Sequence, residues 1–416
     1  MKYSVFSLLG QALRGHRDWG PAWRKAKPKP RYDVIIVGGG GHGLATAYYL
    51  ASMHGITNIA VLEKGAVGSG NVGRNTTIIR SNYLMPANTR FYDHSLKLWE
   101  GLEQDINYNA MVSQRGVLNL HHSDAARDAD ARRGNAMRIA GVDAQLLDRA
   151  AVRKMLPQMD YANERFPIYG GLFQARGGTV RHDAVAWGYA RAADMRGVDI
   201  IENCEVTGIQ RGPNGITGVE TSLGFIATAK LGLACAGNSS RVAAMAGLRL
   251  PIESHILQAF VSEGVKPVLD TVVTFGAGHF YVSQSDKGGL VFGGSIDGYN
   301  SYAQRGNLPV VREVMEEAVS LFPSFSRLRY LRQWGGIMDM SMDGSPIIEK
   351  TSIGGLYLNC GWCYGGFKAT PASGWCFAHT IANDAPHALN AAYRMDRFAS
   401  GDLIDERGAG AAPYRH

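Results

Sequence analysis

The sequence predicts an α/β fold in which a Rossmann-like nucleotide-binding domain is joined to a second domain with a mainly antiparallel β-sheet. Two observations predict this fold. Residues 34–37, Val-Ile-Ile-Val, form an uninterrupted β-branched run that is typical of a buried parallel strand, and they lead directly into glycines. Residues 252–300 instead alternate in strand fashion between glycine-containing turns, which indicates antiparallel strands.

The glycines after the first strand have the spacing of a dinucleotide-binding turn. Gly38, Gly40 and Gly43 fit the pattern G-x-G-x-x-G. In this pattern the first glycine allows a tight turn, the second lets the backbone approach a pyrophosphate, and the third lets a helix pack on a strand. Glu63 follows about 20 residues later, where an acid binds a ribose hydroxyl. We therefore predict a pyrophosphate at the N-terminus of the next helix.

The rest of the chain divides into further helices and strands. Helices are predicted over residues 44–53, 87–104, 124–140, 184–196 and 310–321. Strands are predicted over residues 59–62, 116–120, 198–204 and 231–236. From this order we predict a discontinuous nucleotide-binding domain over residues 32–85, 150–240 and 335–405, and a substrate domain over residues 86–149 and 241–334.

The composition bounds the class of protein. The 416 residues carry a formal net charge of +7, much of it before residue 32, and no nucleic-acid motif accompanies that charge. No apolar run reaches the roughly 18 residues that a membrane span needs, and no signal-peptide pattern is present, so we expect a cytoplasmic protein. Cys360 and Cys363 have C-x-x-C spacing, but no second pair follows, and we predict neither a metal site nor a redox role.

The two ends of the chain are predicted to lie outside both domains. Residues 1–31 mix basic side chains with leucines and with Trp19 and Trp23, and end in Lys-Pro-Lys-Pro. They fit either a disordered basic tail or an arm that lies on a partner subunit, since two tryptophans are costly to expose. Residues 406–416 are predicted to be a C-terminal tail.

A polar, glycine-rich loop follows the second strand over residues 69–80. Beside a cofactor, its hydrogen-bond donors could hold phosphates and ring edges, whereas the simpler interpretation is a solvated loop. The loop runs into Ile78 and Ile79, which indicates that it points inward.

These stretches together resemble the D-amino-acid-oxidase-like flavoprotein family over about residues 32–405. Within that family the chain is similar to the members that form heterotetrameric amine oxidases. The motifs that carry the resemblance are Val-Gly-Gly-Gly-Gly-His-Gly, Val-Leu-Glu-Lys-Gly, Arg-Asn-Thr-Thr-Ile-Ile-Arg-Ser-Asn-Tyr, Arg-His-Asp-Ala-Val-Ala-Trp, Trp-Gly-Gly-Ile and Gly-Gly-Phe-Lys.

The resemblance implies two flavins. FAD binds non-covalently at the glycine turn, and FMN is attached covalently to the histidine that matches His182. From the residues alone, His182 reads as part of a helix start with Asp183 as N-cap. Matching to the family places the flavin contacts at Gly38, Gly40, Gly41, His42, Gly43, Glu63, Asn71, Arg74, Thr76, Ile78, Val206, Gly365 and Gly366.

The resemblance also implies a substrate site for a small zwitterion. It places the carboxylate-binding groups at Arg80 and Lys368, because a carboxylate in a dry pocket needs a positive partner. An ion pair is the simpler role for Arg80, and a flavin-ring contact is the simpler role for Lys368. His255 is a candidate contact on the FMN side, and a hydrogen-bonded core histidine is the competing interpretation.

The implied activity is the oxidative demethylation of sarcosine to glycine by the β subunit of an assembly with α, γ and δ subunits. Electrons pass from FAD to FMN and then to oxygen, which forms hydrogen peroxide. The one-carbon unit goes to tetrahydrofolate on the α subunit or leaves as formaldehyde. Two alternatives stay open: another FAD-dependent amine oxidase or dehydrogenase of the family, and a flavin-bearing subunit without turnover.

Overall fold

The computed structural model describes residues 4–17, 20–276 and 280–406. Trp19 and residues 407–416 of the predicted tail lie outside this range. The α-helices are α1 (Val5–Leu13), α2 (Gly41–His54), α3 (Pro86–Ile106), α4 (Asp124–Ile139), α5 (Arg149–Met155), α6 (His182–Asp194), α7 (Ser239–Ala244), α8 (Leu308–Leu321), α9 (Thr370–Asn383) and α10 (Arg397–Ser400).

The β-strands complete the set of elements. They are β1 (Val34–Val37), β2 (Ile59–Leu62), β3 (Ile78–Ile79), β4 (Val117–His121), β5 (Gln145–Asp148), β6 (Gly170–Gln174), β7 (Gly178–Thr179), β8 (Asp199–Ile201), β9 (Val206–Gly212), β10 (Gly215–Thr221), β11 (Gly224–Ala227), β12 (Leu231–Leu233), β13 (Ile252–Gly264), β14 (Val272–Phe275), β15 (Phe280–Gln284), β16 (Gly289–Ile296), β17 (Tyr330–Ser341), β18 (Ile347–Lys350) and β19 (Leu356–Cys360).

The nucleotide-binding half is built on a six-stranded sheet with the order β18-β19-β12-β1-β2-β8. β1 lies in its centre and pairs in parallel with β12 on one side and β2 on the other. All four residues of β1 are buried, as a strand covered on both faces requires. The predicted strands over 34–37 and 59–62 are confirmed at the same residues.

α2 continues directly from the glycine turn and packs against α9 and α6. Tyr48, Tyr49 and Leu50 are buried in the core that these helices share. Gly55 ends the helix with a left-handed φ of 66°, a conformation in which a glycine C-cap is favoured. The predicted helix over 44–53 is confirmed and is one turn longer at its start.

The second half contains an eight-stranded sheet with the order β17-β13-β16-β15-β14-β4-β6-β5. Its neighbours are antiparallel except for β4 and β14, which run in parallel. β13 and β17 pair along most of their length, from Ile252 opposite Ser341 to Ser262 opposite Tyr330. The mainly antiparallel second sheet predicted from residues 252–300 is thereby confirmed.

The sheets do not follow the predicted domain boundaries. β6 lies within the predicted nucleotide-binding segment 150–240, and β17 crosses the predicted boundary at residue 335, yet both strands belong to the eight-stranded sheet. α3 lies within the predicted substrate segment 86–149, yet its buried Phe91 and Trp99 pack in the core around α2 and α9. An amphipathic helix buries its apolar face against a neighbouring core, and the apolar pattern of the helix does not determine which core that is.

The N-terminal arm has two parts that differ in contact with the body. In residues 20–31, Arg24 pairs with Asp194 at 2.8 Å and Lys29 pairs with Asp199 at 2.8 Å. In α1, by contrast, no residue is buried, and the exposed apolar side chains are Val5, Phe6, Leu8, Leu9 and Leu13. Among the described residues of the arm, α1 is therefore an uncovered apolar helix, whereas the segment from Trp23 onward contacts the body.

Within the described residues, no helix combines the length and the apolarity needed to cross a bilayer. All five cysteines have free thiols, and Cys360 and Cys363 are both buried.

Candidate active site

A cavity of about 890 Å³ lies between the two halves of the molecule. One end is formed by the carboxyl ends of β1 and β2 and by the first residues of α2, where open α/β sheets bind their ligands. The opposite wall comes from the eight-stranded sheet and includes Leu257, Tyr281 and Met338. The volume falls in the range of small-molecule and cofactor sites.

The glycine turn has the geometry that its spacing predicts. Gly38 has a φ of 114°, and a Cβ atom there would lie 2.3 Å from the carbonyl oxygen of Ala234. A Cβ atom on Gly43 would lie 2.0 Å from the carbonyl oxygen of Gly38, so α2 could not pack on β1. At Gly40 a Cβ atom would meet no protein atom within 4 Å and would point into open space.

Glu63 is fixed at the end of β2 by its own backbone surroundings. One carboxylate oxygen accepts a hydrogen bond from the Gly39 N–H at 2.8 Å, and the other accepts one from the Gly65 N–H at 2.8 Å. The carboxylate also lines the cavity. An oriented acid at this place has free lone pairs for a ribose hydroxyl.

The loop over residues 69–80 turns inward, as predicted, and joins the nucleotide-binding half to β17. The Asn71 side chain donates to the Ile337 carbonyl at 2.5 Å and accepts from the Ile337 N–H at 3.1 Å. The Trp334 indole N–H donates to the Arg74 carbonyl at 2.7 Å. Asn71 and Arg74 line the cavity, and so do Thr76 and Ile78.

His42 is held in the cavity wall as a neutral ring. It stacks on Trp362 with 4.6 Å between ring centroids, and its Nδ1 lies 2.5 Å from the Ser373 hydroxyl. Ser373 also accepts from Asn359, whose oxygen accepts from the Trp362 indole N–H at 2.7 Å. Burial lowers the pKa of His42 to about 4, so the ring is uncharged near neutral pH.

Lys368 precedes α9 in a short 3₁₀ turn, and its backbone is anchored from α3. Its carbonyl accepts from the Ser95 hydroxyl at 2.7 Å and from the Trp99 indole N–H at 2.9 Å. Its Nζ donates to the Tyr364 carbonyl at 2.7 Å. Burial, and then the positive charge of Arg80, lower the pKa of Lys368 well below its ordinary value.

Arg80 lies just after β3 in the same cavity wall. Its guanidinium group donates to the Asn82 side chain and lies 5.1 Å from the centroid of the Tyr83 ring. Arg80 and Lys368 therefore bring two basic groups to one enclosed space. Such a pair is destabilised by mutual repulsion, and an anionic ligand between them would relieve it.

The structure brings most of the predicted site residues together. The cavity is lined by Gly38, Gly40, Gly41, His42, Glu63, Asn71, Arg74, Thr76, Ile78, Arg80, Val206, Gly366 and Lys368. Gly43 and Gly365 are not among the lining residues. Gly43 supports helix packing, and a Cβ atom on Gly365 would lie 2.1 Å from the Tyr92 hydroxyl, so both glycines permit close packing behind the wall.

His182 is not one of the lining residues; it occupies the first position of α6, and α6 contacts the turn over residues 72–74 in the cavity wall. Its Nδ1 is buried and has no hydrogen-bond partner among the described residues. Burial lowers the pKa of His182, which favours the neutral imidazole. Asp183 is not the N-cap, which corrects one prediction: Arg181 occupies that position, and Asp183 pairs with its guanidinium group at 2.7 Å.

His255 has the surroundings of a core histidine. It is buried, its Nδ1 lies 2.8 Å from the Asp297 carbonyl, and its Nε2 lies 3.1 Å from the Glu253 carboxylate. It does not belong to the cavity wall. These contacts favour the competing interpretation over a flavin contact, because both ring nitrogens already have partners.

Several residues of the wall were not predicted from the sequence. Trp362, Tyr364, Tyr281 and Asp339 all line the cavity. Burial raises the pKa of Asp339 to about 6, a perturbation that is common at functional sites. Trp362 and Tyr364 lie next to the predicted Gly-Gly-Phe-Lys motif, and that proximity was the only signal available for them in the sequence.

The residues present fit a dinucleotide with a flavin ring. Gly40 is the N-cap of α2 and offers no side-chain cap, so the N–H groups of the first turn are free of a side-chain acceptor there. No protein atom lies within 4 Å of a Cβ atom built on Gly40. Glu63 lines the cavity at the place expected for a ribose, and residues of the 69–80 loop line the remaining volume. These features match the parts that hold pyrophosphate, ribose and ring.

Comparison with known proteins agrees with this assignment. A family model described as DAO, FAD dependent oxidoreductase, matches residues 33–380. A protein named sarcosine oxidase subunit beta from Rhizobium meliloti is 74% identical over 416 residues, covering 100% of both chains. Another of that name, from Arthrobacter sp, is 53% identical over 393 residues, covering 94% of this chain and 97% of the relative.

A solved structure shares the fold. The L-proline dehydrogenase from P. horikoshii superposes with a TM-score of 0.84 at 26% identity, covering 91% of this chain and 100% of the other. The D-amino-acid-oxidase-like fold predicted from the sequence is thereby confirmed.

Replacing Gly40 with valine should abolish FAD binding while the chain still folds. The new side chain would fill the pyrophosphate space and meet no protein atom within 4 Å at its Cβ. Flavin content after purification and the circular dichroism spectrum measure the two effects. Gly298→Val is a matched control, because its Cβ also meets nothing within 4 Å and it lies outside the cavity. Full FAD content in Gly40→Val would contradict the assignment of this turn.

Proposed function

This chain belongs to the DAO family of FAD-dependent oxidoreductases, and we propose that it is the β subunit of a heterotetrameric sarcosine oxidase that demethylates sarcosine to glycine. The observation that carries the proposal is the pair of basic groups, Arg80 and Lys368, in the cavity that begins at the glycine turn. The names of relatives at 74% and 53% identity support sarcosine as the substrate.

Arg80 and Lys368 are proposed to bind the substrate carboxylate. Both groups are positioned by hydrogen bonds within the protein before a ligand binds. Arg80 donates to the Asn82 side chain, and Lys368 donates to the Tyr364 carbonyl. A carboxylate between them would form charge-assisted hydrogen bonds, each worth about 1.5–3 kcal/mol. It would also favour the protonated form of Lys368, which burial disfavours.

The same basic groups prepare the substrate nitrogen for oxidation. The amine must be neutral to lose a hydride, and nearby positive charge together with burial lowers the pKa of an ammonium group. A bound flavin would supply the hydride acceptor for oxidation of the N-methyl carbon. The chain's own contribution is to hold the carboxylate, exclude water and orient that carbon. Hydrolysis of the resulting iminium by water would give formaldehyde and glycine, or the iminium carbon would pass to tetrahydrofolate on the α subunit.

A second flavin, FMN, is proposed to be bonded to His182. Two observations support this assignment: a buried ring nitrogen without a partner among the described residues, and a pKa lowered by burial. A neutral imidazole is the nucleophilic form that could add to the exocyclic methyl-derived carbon of a flavin tautomer; the flavin would then be reduced by two electrons, and oxygen, the proposed acceptor, would reoxidise it. A covalent bond would replace the affinity that FMN lacks without an adenosine half.

The assembly is proposed to include α, γ and δ subunits, with oxygen as the final electron acceptor. The family model begins at residue 33, whereas the 74% identical relative, itself named a subunit, aligns over the arm as well. The arm is therefore an addition to the shared fold, and the uncovered apolar face of α1 suits a protein partner.

Replacing Lys368 with methionine should raise the KM for sarcosine and slow flavin reduction. The loss of one charge-assisted contact costs about 2–3 kcal/mol, which is roughly a 30- to 150-fold effect. Anaerobic stopped-flow measurement of the flavin absorbance near 450 nm gives both quantities. Lys350→Met is the control, because Lys350 pairs with Asp384 outside the cavity.

The pH dependence provides an internal check on this role. Lys368 must be protonated to bind a carboxylate, and acetate is a small carboxylate that can serve as a probe. The affinity for acetate should be full below the pKa of Lys368 and should fall as the pH rises through that value. Because the pKa is held well below the ordinary value, the fall should occur below the usual range for lysine. Lys368→Met should lose this slope. Unchanged reduction kinetics in the variant would assign Lys368 a structural role only.

Replacing His182 with alanine should separate the two half-reactions. Denatured protein should release all its flavin, and no flavinylated peptide should contain residue 182. Sarcosine should still reduce FAD, because Arg80 and Lys368 are untouched, whereas steady-state oxygen consumption should fall steeply.

The control for that variant is Arg181→Gln. It disrupts the Arg181–Asp183 pair at the start of α6 and leaves the imidazole in place. If His182→Ala retained covalent flavin, the flavin would have to be attached to a residue other than His182. Loss of both half-reactions in both variants would show that the start of α6 supports the fold instead.

The arm should be protected in the assembled complex and cleaved in the free chain. α1 exposes Phe6 at 80% and Leu13 at 81%, so a partner has apolar area to cover. Limited proteolysis of the two forms, with fragments identified by mass, measures the difference. Equal cleavage in both forms would mean that the arm is a tail without a docking role.

A further inference from the structure

Arg80 lies over the face of an aromatic ring that does not itself line the cavity. Its guanidinium carbon is 5.1 Å from the centroid of the Tyr83 ring. Tyr83 is 5% exposed and is not among the described residues of the cavity wall, whereas Arg80 is. A guanidinium group within about 6 Å of a ring centroid is attracted by the negative face of the ring, and removal from water strengthens the attraction. Tyr83 can therefore influence a ligand in the cavity by acting on Arg80.

The Tyr83 ring is in turn fixed by α3. It stacks on the Tyr92 ring with 3.9 Å between the ring centroids and 12° between the ring planes. The Thr89 hydroxyl donates to the Tyr83 carbonyl at 3.0 Å. Tyr83 and Tyr92 are both buried, and stacked rings in a close-packed interior have little room to change their orientation. The ring that supports Arg80 is therefore held by one helix, at its face and at its backbone.

The same helix positions the segment that carries Lys368. The Ser95 hydroxyl and the Trp99 indole N–H both donate to the Lys368 carbonyl, at 2.7 and 2.9 Å. The Tyr92 hydroxyl packs against Gly365, where a Cβ atom would lie 2.1 Å from it. Tyr92, Ser95 and Trp99 are spaced at i, i+3 and i+7, so they share one face of α3. That face therefore contacts the segment from Gly365 to Lys368 with three side chains.

The support that Tyr83 gives leaves the charge of Arg80 available to a ligand. Burial raises the pKa of Tyr83, so the phenol is neutral and does not form an ion pair with the guanidinium group. A ring face attracts a guanidinium group without accepting a conventional hydrogen bond from its N–H groups. A carboxylate in the same place would form an ion pair that competes with the substrate.

We propose that Tyr83 is a positioning residue, whose ring fixes Arg80 relative to Lys368 for the binding of one substrate carboxylate. This inference rests on the proposed binding of that carboxylate by Arg80 and Lys368. α3 holds Lys368 directly and holds Arg80 through the stacked rings of Tyr92 and Tyr83. Groups that share one ligand are most effective when their supports are rigid, and a helix provides a rigid support.

A double-mutant cycle in the FAD-containing holoenzyme tests this role. The probe is acetate, and its Kd is measured by flavin absorbance titration at one pH, because the protonation of Lys368 also changes its affinity. Tyr83→Leu should raise the Kd of acetate about tenfold, since an aliphatic side chain does not attract a guanidinium group. In an Arg80→Gln background, the same substitution should leave the Kd unchanged, because Tyr83 then has no cation to position.

The oxidation of sarcosine gives a second readout. Tyr83→Leu should raise the concentration of sarcosine that half-saturates anaerobic flavin reduction, whereas Tyr83→Phe keeps the ring and should retain the wild-type value. A merely structural loss would lower the flavin content and leave that concentration unchanged. If Tyr83→Leu does not retain FAD, phenylalanine and trifluorophenylalanine are compared at residue 83. Fluorine weakens the negative ring face and largely preserves the packing, so the fluorinated ring should raise the Kd of acetate.

Tyr48→Leu is the matched control. Tyr48 is also 5% exposed, and its ring centroid lies 4.7 Å from the guanidinium carbon of Arg196, outside the cavity wall. The control should leave the Kd of acetate unchanged.

Two results would overturn the inference: no change in the Kd of acetate when the ring is removed or fluorinated, or an equal change with and without Arg80. If Arg80→Gln alone leaves acetate binding unchanged, the proposed carboxylate site itself fails, and the inference fails with it.

Discussion

The cavity depends on how closely the first turn of α2 approaches the end of β1. A Cβ atom on Gly43 would lie 2.0 Å from the Gly38 carbonyl oxygen, and one on Gly38 would lie 2.3 Å from the Ala234 carbonyl oxygen. These two glycines set the helix directly behind the strand end, so that its N-terminus faces the cavity. The N–H groups of the first turn can then act on a pyrophosphate without any charged side chain of the turn.

A second constraint follows from burying the basic groups of Arg80 and Lys368 in the same cavity. Removal of Lys368 from water disfavours its charge, and Arg80 disfavours it further. The Asn82 side chain holds the Arg80 guanidinium group in place, and the Tyr364 carbonyl holds the Lys368 Nζ. Binding of an anion is consequently linked to protonation of Lys368. An uncharged ligand would not gain affinity from this linkage.

The parts of the fold that sequence reasoning predicted are those with local causes. β1 and β2 were predicted at the observed residues because β-branched runs bounded by turn residues determine strands locally. The glycine turn was predictable because its chemistry lies within six consecutive residues. Glu63 was predictable from its spacing after that turn, whereas the other predicted cavity-lining residues came from the resemblance.

The parts that were not predicted depend on contacts between distant residues. β6 and β17 join the eight-stranded sheet by pairing with strands that lie far away in the chain. Similarly, α3 packs on α9, which follows it by more than 200 residues. Tyr364 was not predicted for the same reason, since its side chain packs against a cluster that includes Met338 and Met340 of the distant strand β17.

The bonds between the 69–80 loop and β17 bear on how the enzyme can move. Asn71 makes two hydrogen bonds to the backbone of Ile337, and the Trp334 indole bonds the Arg74 carbonyl. These bonds fasten the loop that follows β2 to β17 of the eight-stranded sheet at the edge of the cavity. A hinge that separated this loop from β17 would have to break all three bonds. Ligand exchange is therefore expected to use rearrangement of side chains and surface loops, with the two halves moving as one body.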